Sequence, residues 1–481
     1  MTKVVFVQGN FDILHSGHIR LLKFAKECGD KLIVAVNKDR IMERESLIGE
    51  KERLELILSI DYVDEAFLTL LSPVDNIRSI QPSVVVKGRE FESRDNPELK
   101  ELLHYGGTLI FGSGEFESNS EHLLRRKNFH DSSFDFNDAR MYARRHKIDN
   151  KIISNIFKSF SSIKVAVIGE VIVDEYVQGS AVGLSQEDPT IVMVPNRVDK
   201  YLGGAAITAG HVKSLGASRV DLFSVLGDDD QVNYVKSKIA DYKVNSYFYL
   251  DSSRPTPLKT RFRAGSKTLL RVNQVRQHKI SKEFQDKLYA DLCSEINNYN
   301  LVIFSDFNYG LLPQDLVDRI TQLCLQHNIM IVADSQTSSQ VGDISRFNAV
   351  DLMSPTEKEA RVALNNIDDG LVILAQKLTE KSRPKNLVVT LAEEGIFIHK
   401  PDADFSNWQN DRLSAININA VDPAGAGDCF LATSSMVLCS GGDIWLASFI
   451  ASFASACQVG IIGNNPLEQS TVENLINEAF K

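Results

Sequence analysis

The 481-residue chain is poor in the residues that mark several protein classes. It has six cysteines, two tryptophans and 13 prolines. Cys28, Cys293, Cys324, Cys429, Cys439 and Cys457 are scattered, with no C-x-x-C pair. That spacing excludes a zinc ribbon and a disulfide scaffold, and suits reduced thiols in a cytoplasmic protein. No apolar run reaches the roughly 18 residues that a membrane helix needs. The opening MTKVVFVQGNFD reads as a strand rather than a signal peptide. Positive charge is also in deficit: 53 Lys+Arg stand against 63 Asp+Glu, for a net charge of −10. Nucleic acid is therefore not expected as a partner, whereas a small anion needs only a local pocket.

Hydrophobic residues make up 43% of the chain and charged residues 24%, the composition of a globular protein of several domains. Two segments open alike, with a β-branched run leading to glycine and a polar loop. Lys3–Val7 leads to Gly9, and Lys164–Ile168 leads to Gly169. Each resembles the first buried strand of a parallel sheet. Strands are expected at Lys31–Val36, Val84–Val86 and Thr108–Phe111, with helices at Ile19–Cys28, Glu50–Ser59 and Pro97–Tyr105. In the second half, strands are expected at Val220–Val225, Leu301–Phe304, Met330–Ala333 and Leu387–Thr390. The alternation predicts an α/β protein with two Rossmann-like parallel-sheet domains. The stretches Tyr176–Val194 and Pro257–Val275 are rich in β-formers and predict a small extra sheet or lid. Residues 1–128 and 161–481 are the expected domains. Residues 129–160 form the expected linker, with a helix around Asp138–Lys147.

The first chemical signature is Gly9-Asn10-Phe11-Asp12-Ile13-Leu14-His15-Ser16-Gly17-His18, between a buried strand and a helix. N–H groups at a helix start attract phosphate, and Gly17 lets backbone approach it. His15 and His18 can both donate to the charge that builds up during phosphoryl transfer. The pattern resembles the G-x-F-D-x-x-H-x-G-H signature of the cytidylyltransferase-like nucleotidyltransferases. Glu52-Arg53 looks like the E-x-R helix start of that family, and Lys87-Gly88-Arg89-Glu90-Phe91 is similar to its K-G-x-D-Y loop. Asn119-Ser120-Glu121 stands where the family has S-T-[ST], and Ser120 keeps the hydroxyl. Lys38, Arg40 and Arg44 are alternatives for the family's lysine after the second strand. The resemblance implies that His15 and His18 stabilise the α-phosphate of ATP or CTP while a sugar phosphate attacks and pyrophosphate leaves. Gly9, Asn10, Phe11, Asp12, Gly17, Arg53, Lys87 and Ser120 are then the nucleotide-binding residues.

The second signature is Asp422-Pro423-Ala424-Gly425-Ala426-Gly427-Asp428, ahead of the apolar run Cys429–Val437. A Gly-Ala-Gly backbone at a helix start can wrap an oxyanion, and Asp428 can take a proton from an attacking hydroxyl. Gly203-Gly204-Ala205-Ala206 and Gly227-Asp228-Asp229 accompany it. Together these resemble the ribokinase-like (PfkB) carbohydrate kinases over about residues 163–470. The resemblance implies Asp428 as catalytic base and Gly425, Ala426 and Gly427 as anion hole. It also implies Asp174 as a ligand of sugar hydroxyls and Glu357 as the magnesium-linked carboxylate, with ATP and Mg2+ as cosubstrate and cofactor. A lid-mediated homodimer is implied as well.

Within that family the motifs Gly169–Tyr176, Ser185–Pro189, Arg271-Val272-Asn273 and Ser305–Gly310 are similar to the heptose 7-phosphate kinase half of a bifunctional bacterial enzyme. Gly203, Gly204, Arg271 and Asp306 are therefore expected at the sugar. That enzyme carries the kinase first, so a reversed order is expected here. Three positions depart. Ile207 replaces the asparagine of G-G-x-x-N, Tyr309 the lysine of S-D-Y-x-K-G, and Asp334-Ser335-Gln336 the D-P-K. With two cations lost, the acceptor is not expected to be held as heptose 7-phosphate is. Lys259, Arg261 and Arg263 alternate along one strand, as a solvated basic face or as a site for an anionic substrate.

The expected activity is bifunctional: sugar 1-kinase plus sugar 1-phosphate nucleotidyltransferase, making an ADP- or CDP-heptose-like product. The alternatives are one live domain, or a non-catalytic nucleotide- or sugar-binding subunit.

Overall fold

A computed structural model describes residues 3–11, 14, 16–41, 48–88, 96–112, 134–265, 267–337, 342–405 and 407–481. The chain divides into two compact units, one of Met1–Ser132 with Asp368–Ile373, the other of Ser133–Ile367 and Leu374–Lys481.

In the first unit, β1 (Val4–Gly9), β2 (Lys31–Asn37), β3 (Glu65–Thr69), β4 (Val84–Gly88) and β5 (Thr108–Gly112) lie in the order β3-β2-β1-β4-β5. All pairs are parallel. Side-chain alternation along β1 splits the core. Val5 and Val7 pack with Leu22, Ala25 and Ile57 on one face, and Phe6 packs with Ile77 and Leu102 on the other. The strand is buried on both faces, which is why its sequence is a continuous apolar run. Strand β3, EAFLT, was not foreseen: it is short, and its first residue is exposed. The order in which the chain adds strands reverses between β1 and β4. Open α/β sheets place ligands at such a switch point, outside the carboxyl ends of the strands, which here is beside Gly9-Asn10 and Lys87-Gly88.

The second unit is built on nine strands. They are β6 (Lys164–Gly169), β9 (Arg219–Leu226), β10 (Asn245–Leu250), β13 (Leu301–Asp306), β14 (Met330–Ser335), β15 (Leu352–Met353), β16 (Leu387–Thr390), β17 (Ile396–Pro401) and β18 (Trp408–Leu413). Their order is β10-β9-β6-β13-β14-β15-β16-β17-β18. The pairs β16–β17 and β17–β18 are antiparallel, so β17 runs against the others, and the remaining pairs are parallel. The extra sheet expected from Tyr176–Val194 and Pro257–Val275 is four-stranded. Its order is β12-β11-β7-β8, from β7 (Val171–Leu184), β8 (Ile191–Gly204), β11 (Leu258–Ala264) and β12 (Lys267–Gln274).

The stretch 129–160, read as a linker, is not one over its described part. Helices Asn137–Arg145 and Asn150–Ser159 bury Tyr142, Ala143, Ile153 and Phe157 in the second unit's core. Arg145 and His146 fasten the first of them to Asp411 of β18, at 2.8 and 2.6 Å. The charged residues that made this stretch look like a linker cover two amphipathic helices.

Candidate functional sites

In the second unit, glycines let three chain segments meet. Gly425 (φ +78) caps the helix Ala426–Cys439 in the left-handed region that glycine tolerates. That turn sets Asp428 in the first helical turn, 5% exposed. Thr208, fully buried in the helix Ala205–Ser214, lies with its hydroxyl 3.3 Å from Asp428 Oδ1 and 3.2 Å from the Gly204 carbonyl. Burial pushes the Asp428 carboxyl up to about 7, with the charge of Asp174 adding to it and Thr208 and Lys259 opposing. A carboxylate of that acidity accepts a proton near neutral pH. The side of Gly427 where a Cβ would stand is open. The Ala426 N–H of the Gly425-Ala426-Gly427 turn donates to the Pro423 carbonyl at 3.4 Å.

Asp174 sits on β7, 5% exposed. Arg261 Nη1 donates to its Oδ1 at 2.5 Å, and Asn464 Nδ2 lies 3.4 Å from its Oδ2. Gly203 is glycine because a Cβ there would stand 2.3 Å from Asp174 Oδ2. Gly204 (φ +62) begins the helix that carries Thr208. Asp174, Gly203, Gly204, Gly425 and Asp428 are thus brought together. From β11, Lys259 lies over the rings of Phe307 and Tyr309 at 5.2 and 5.6 Å, and Arg261 lies over Tyr176 at 5.0 Å.

Three expected residues stand elsewhere. Asp306, 1% exposed, is held by the protein. Arg346 Nη2 donates to it at 2.8 Å, Ser335 Oγ at 2.7 Å and the Asn308 N–H at 3.1 Å. It organises the loop after β13, with Oδ1 accepting from Asn308 and Oδ2 from both Ser335 and Arg346. Arg271 lies exposed on β12, opposite Arg261 in the ladder, and not on Asp174. Glu357, at the start of the helix Glu357–Leu364, faces outward and pairs with Arg361 at 2.6 Å. The buried carboxylate of that helix is Glu359, which accepts from the Thr337 N–H at 2.7 Å and closes a capping box with Thr356.

Other acids complete the picture. Asp334 is held well above the usual carboxylate range, first by burial and then by Glu359, Asp428 and Asp306. Glu170 is fully enclosed, and burial, then Asp306, pushes it up to about 7. Its oxygens accept from the Phe307, Tyr309 and Leu311 N–H groups at 2.8, 3.0 and 3.1 Å. It thereby fixes the loop whose aromatic rings lie under Lys259. Sequence reading quotes Glu170 and Asp334 within motifs without giving either a role, and it misses Thr208 and Asn464. Thr208 follows Gly204 by one helical turn and could have been found by that spacing. Asn464 sits in an unremarkable G-N-N-P turn and could not.

In the first unit, Asn76, Gln8, Asn37 and Asn10 form a hydrogen-bonded chain across the carboxyl ends of β1 and β2, each link 2.7–2.9 Å. Phe11 (φ +50) turns the chain inward and meets the His18 ring edge-on, centroids 5.2 Å apart. His18 and Gly17 fall in the first turn of the helix Ser16–Glu27. Asp12, His15, Arg44 and Ser120 lie outside the described residues, as do Arg89, Glu90 and Phe91.

Arg53 corrects its assignment. It is fully buried, donating to the carbonyls of Asn10 and Ile48 and, at 2.5 Å, to Asp39. It braces the Asn10 turn rather than reaching a phosphate. Lys87 is likewise engaged, with Asn96 and Glu98 both at 2.8 Å.

A model described as pfkB family carbohydrate kinase matches residues 162–469, and one described as cytidylyltransferase-like matches residues 6–130. The cytidylyltransferase-like match precedes the kinase match along the chain, and the expected reversal of order is not supported. The chain is 30% identical over 325 residues to the bifunctional protein HldE of Campylobacter concisus, covering 66% of this chain and 65% of that protein. It thus spans just under two thirds of the length of the curated relatives it matches. Among solved structures, phosphofructokinase-2 from Escherichia coli is similar with a TM-score of 0.55 at 13% identity, over 66% of this chain and 100% of that one. Ribokinase from Giardia lamblia is similar with a TM-score of 0.53 at 19% identity, over 67% and 100%. At such identities these structures speak to the fold alone.

Proposed function

The chain belongs to the pfkB family of carbohydrate kinases, and from that premise we propose a bifunctional enzyme of nucleotide-activated sugar synthesis. The second unit phosphorylates a sugar or sugar phosphate with ATP, at the anomeric hydroxyl. The first unit couples a sugar 1-phosphate to ATP or CTP and releases pyrophosphate. The product is an ADP- or CDP-heptose-like nucleotide sugar. The bifunctional name of the Campylobacter relative supports the pairing of activities.

The observation that carries the kinase reading is the buried Asp428, raised to about 7, behind the Gly425–Gly427 turn and beside Asp174. Asp428 takes the proton of the acceptor hydroxyl as its oxygen bonds to the γ-phosphorus of ATP. The bond from that phosphorus to the β–γ bridging oxygen breaks, and ADP leaves. The N–H groups of the turn stabilise charge on the transferring phosphoryl oxygens. Magnesium fits the acidic side of the site, where Asp334 lies among Glu359, Asp428 and Asp306 and is raised by their charges. Among the described residues no group of three or more His, Cys, Asp or Glu side chains is arranged to hold a metal. Asp334, with Glu359 behind it, would hold the ion, and nucleotide phosphates and water would complete its shell. When bound, the ion neutralises phosphate charge.

The test is ADP release on adding ATP with a sugar panel, and pyrophosphate release on adding ATP or CTP with sugar 1-phosphates. No ADP from any acceptor would sink the kinase half. A kinase acting alone is the second reading, favoured by Arg53 and Lys87 being occupied with protein partners. Pyrophosphate release abolished by His15→Ala would overturn it.

The proposed assembly is a cytoplasmic homodimer through the lid. Its strands β7, β8 and β12 leave Val182, Leu184, Ile191, Val194, Val198 and Leu270 exposed, and a patch of that kind suits a partner surface. Val194→Lys with Leu270→Glu should give a monomer by light scattering. No helix among the described residues is long and apolar enough to cross a membrane.

A further inference from the structure

Ile207 stands where the kinase family has its sugar-binding asparagine, and the structure buries it completely within the helix Ala205–Ser214. A carboxamide nevertheless reaches the site, from a different segment. Asn464 lies in the loop after the helix Ile444–Gln458, and that loop is held firmly. The Gly463 N–H donates to Asp422 Oδ2 at 3.2 Å, and Gln458 Nε2 donates to the Gly463 carbonyl at 3.2 Å. Gly463 adopts φ +79, and a Cβ there would stand 2.5 Å from the Tyr201 ring.

So fixed, Asn464 is 4% exposed and sits between the two halves of the site. Its Nδ2 lies 3.4 Å from Asp174 Oδ2. Its Oδ1 lies against Gly425, where a Cβ would be 2.3 Å away. The carboxylate of Asp174 sets the amide's orientation: the NH2 must face the negative oxygen, so Oδ1 must face the Gly425 side. That oxygen is buried and has no hydrogen-bond donor. A buried acceptor left without a donor is costly, so a group supplied by a ligand is the natural partner. An ionised phosphate cannot be that partner, because it offers only acceptors. A sugar hydroxyl can, and it can also engage Asp174.

We propose that Asn464 Oδ1 accepts a hydrogen bond from a hydroxyl of the acceptor sugar, so that Asn464 and Asp174 together select the acceptor. The assignment deepens the kinase reading and rests on it. The lost asparagine at position 207 is replaced in function by one on the loop after the helix Ile444–Gln458. A site that must pair a buried polar group discriminates strongly against ligands lacking the partner.

The experiment uses the full chain and ADP release. A panel of hexoses, heptoses and their phosphates identifies the best acceptor, and its monodeoxy analogues are then assayed on the wild type and on Asn464→Leu, which keeps the volume and removes the acceptor oxygen. Expected are a rise of about five- to tenfold in acceptor KM for the variant, with the ATP KM unchanged, and one monodeoxy analogue that loses affinity on the wild type but loses nothing further on the variant. An unchanged acceptor KM, or equal losses on wild type and variant for every analogue, would overturn the assignment while leaving the kinase reading intact. Should the variant not fold, the wild type alone decides. Monodeoxy analogues that all match the parent sugar refute the proposal. No ADP from any panel member refutes the kinase reading and this assignment with it.

Discussion

Asp428 has an acidity that its position creates. Burial raises it to about 7, so at pH 6 most of the free enzyme carries it protonated and unable to act as a base. The expected kcat/KM for ADP formation therefore rises with pH through about 7 with unit slope, and a flat profile between pH 5.5 and 8 would contradict the role. The same shift affects stability. Asp428 and Glu170, both pushed up to about 7, bind protons in the folded chain at pH values where the unfolded chain has lost them. Between the ordinary carboxylate range and about pH 7 the native state holds more protons, so stability falls as pH rises through that window. Urea midpoints should be higher at pH 5.5 than at pH 8, with part of the difference gone in Asp428→Asn. Gly203 gives a further test at this scale. Gly203→Ala would put a methyl 2.3 Å from Asp174 Oδ2 and force that carboxylate to move. The acceptor KM should rise about tenfold or more, with the ATP KM little changed.

Single side chains set the geometry of whole elements. Glu170, at the end of β6, gathers three backbone N–H groups of the loop that follows β13. Glu170→Ala leaves those donors without a partner in a dry interior, at about 1–3 kcal/mol each before relaxation. A fall in melting temperature, and looser Phe307 and Tyr309 rings under Lys259, are expected. Arg53 does the same for the turn after β1. Arg53→Lys offers a point charge in place of a fork, and a single ammonium cannot serve the Asn10 and Ile48 carbonyls and Asp39 as a guanidinium does. The first unit should lose about 2–4 kcal/mol, seen as earlier hydrogen exchange in Val4–Gly9. If binding were its role, nucleotide affinity would fall with no change in exchange.

At the scale of the molecule, the two units carry separate chemical signatures, and their activities should separate on mutation. Asp428→Asn should reduce ADP release by about a thousandfold or more and leave pyrophosphate release intact, with His15→Ala doing the reverse. Loss of both from either variant would join the two sites. Much of this architecture was legible in the chain. Buried parallel strands such as Val4–Gly9 and Lys164–Gly169 are apolar throughout, so they stand out from the turns around them. The turns at Gly203-Gly204 and Gly425 are legible too, because glycine alone accepts the close approach at Gly203 and the left-handed angles at Gly204 and Gly425. Less visible were β3, whose exposed edge dilutes its pattern, and the helices at Asn137–Arg145 and Asn150–Ser159, whose charged faces resemble a linker.

The sequence by itself determined the two α/β sheets and the glycine turns, since periodicity and backbone sterics are local and act wherever those residues stand, whereas Asp428 and Asp174 stand out through the resemblance of their motifs to those of a kinase family. Tertiary structure alone decided which charged groups are left for a ligand. Arg53, Lys87, Asp306 and Glu357 are the right residue types at family positions, yet partners distant in sequence or one helical turn away have already taken them. Asn464 has the opposite history. It is an ordinary turn residue until the fold sets its oxygen, without a donor, against Gly425, 290 residues along the chain from the Asp174 that orients it. Hydrogen-bond satisfaction is a property of the folded surroundings, and no spacing along the chain encodes it.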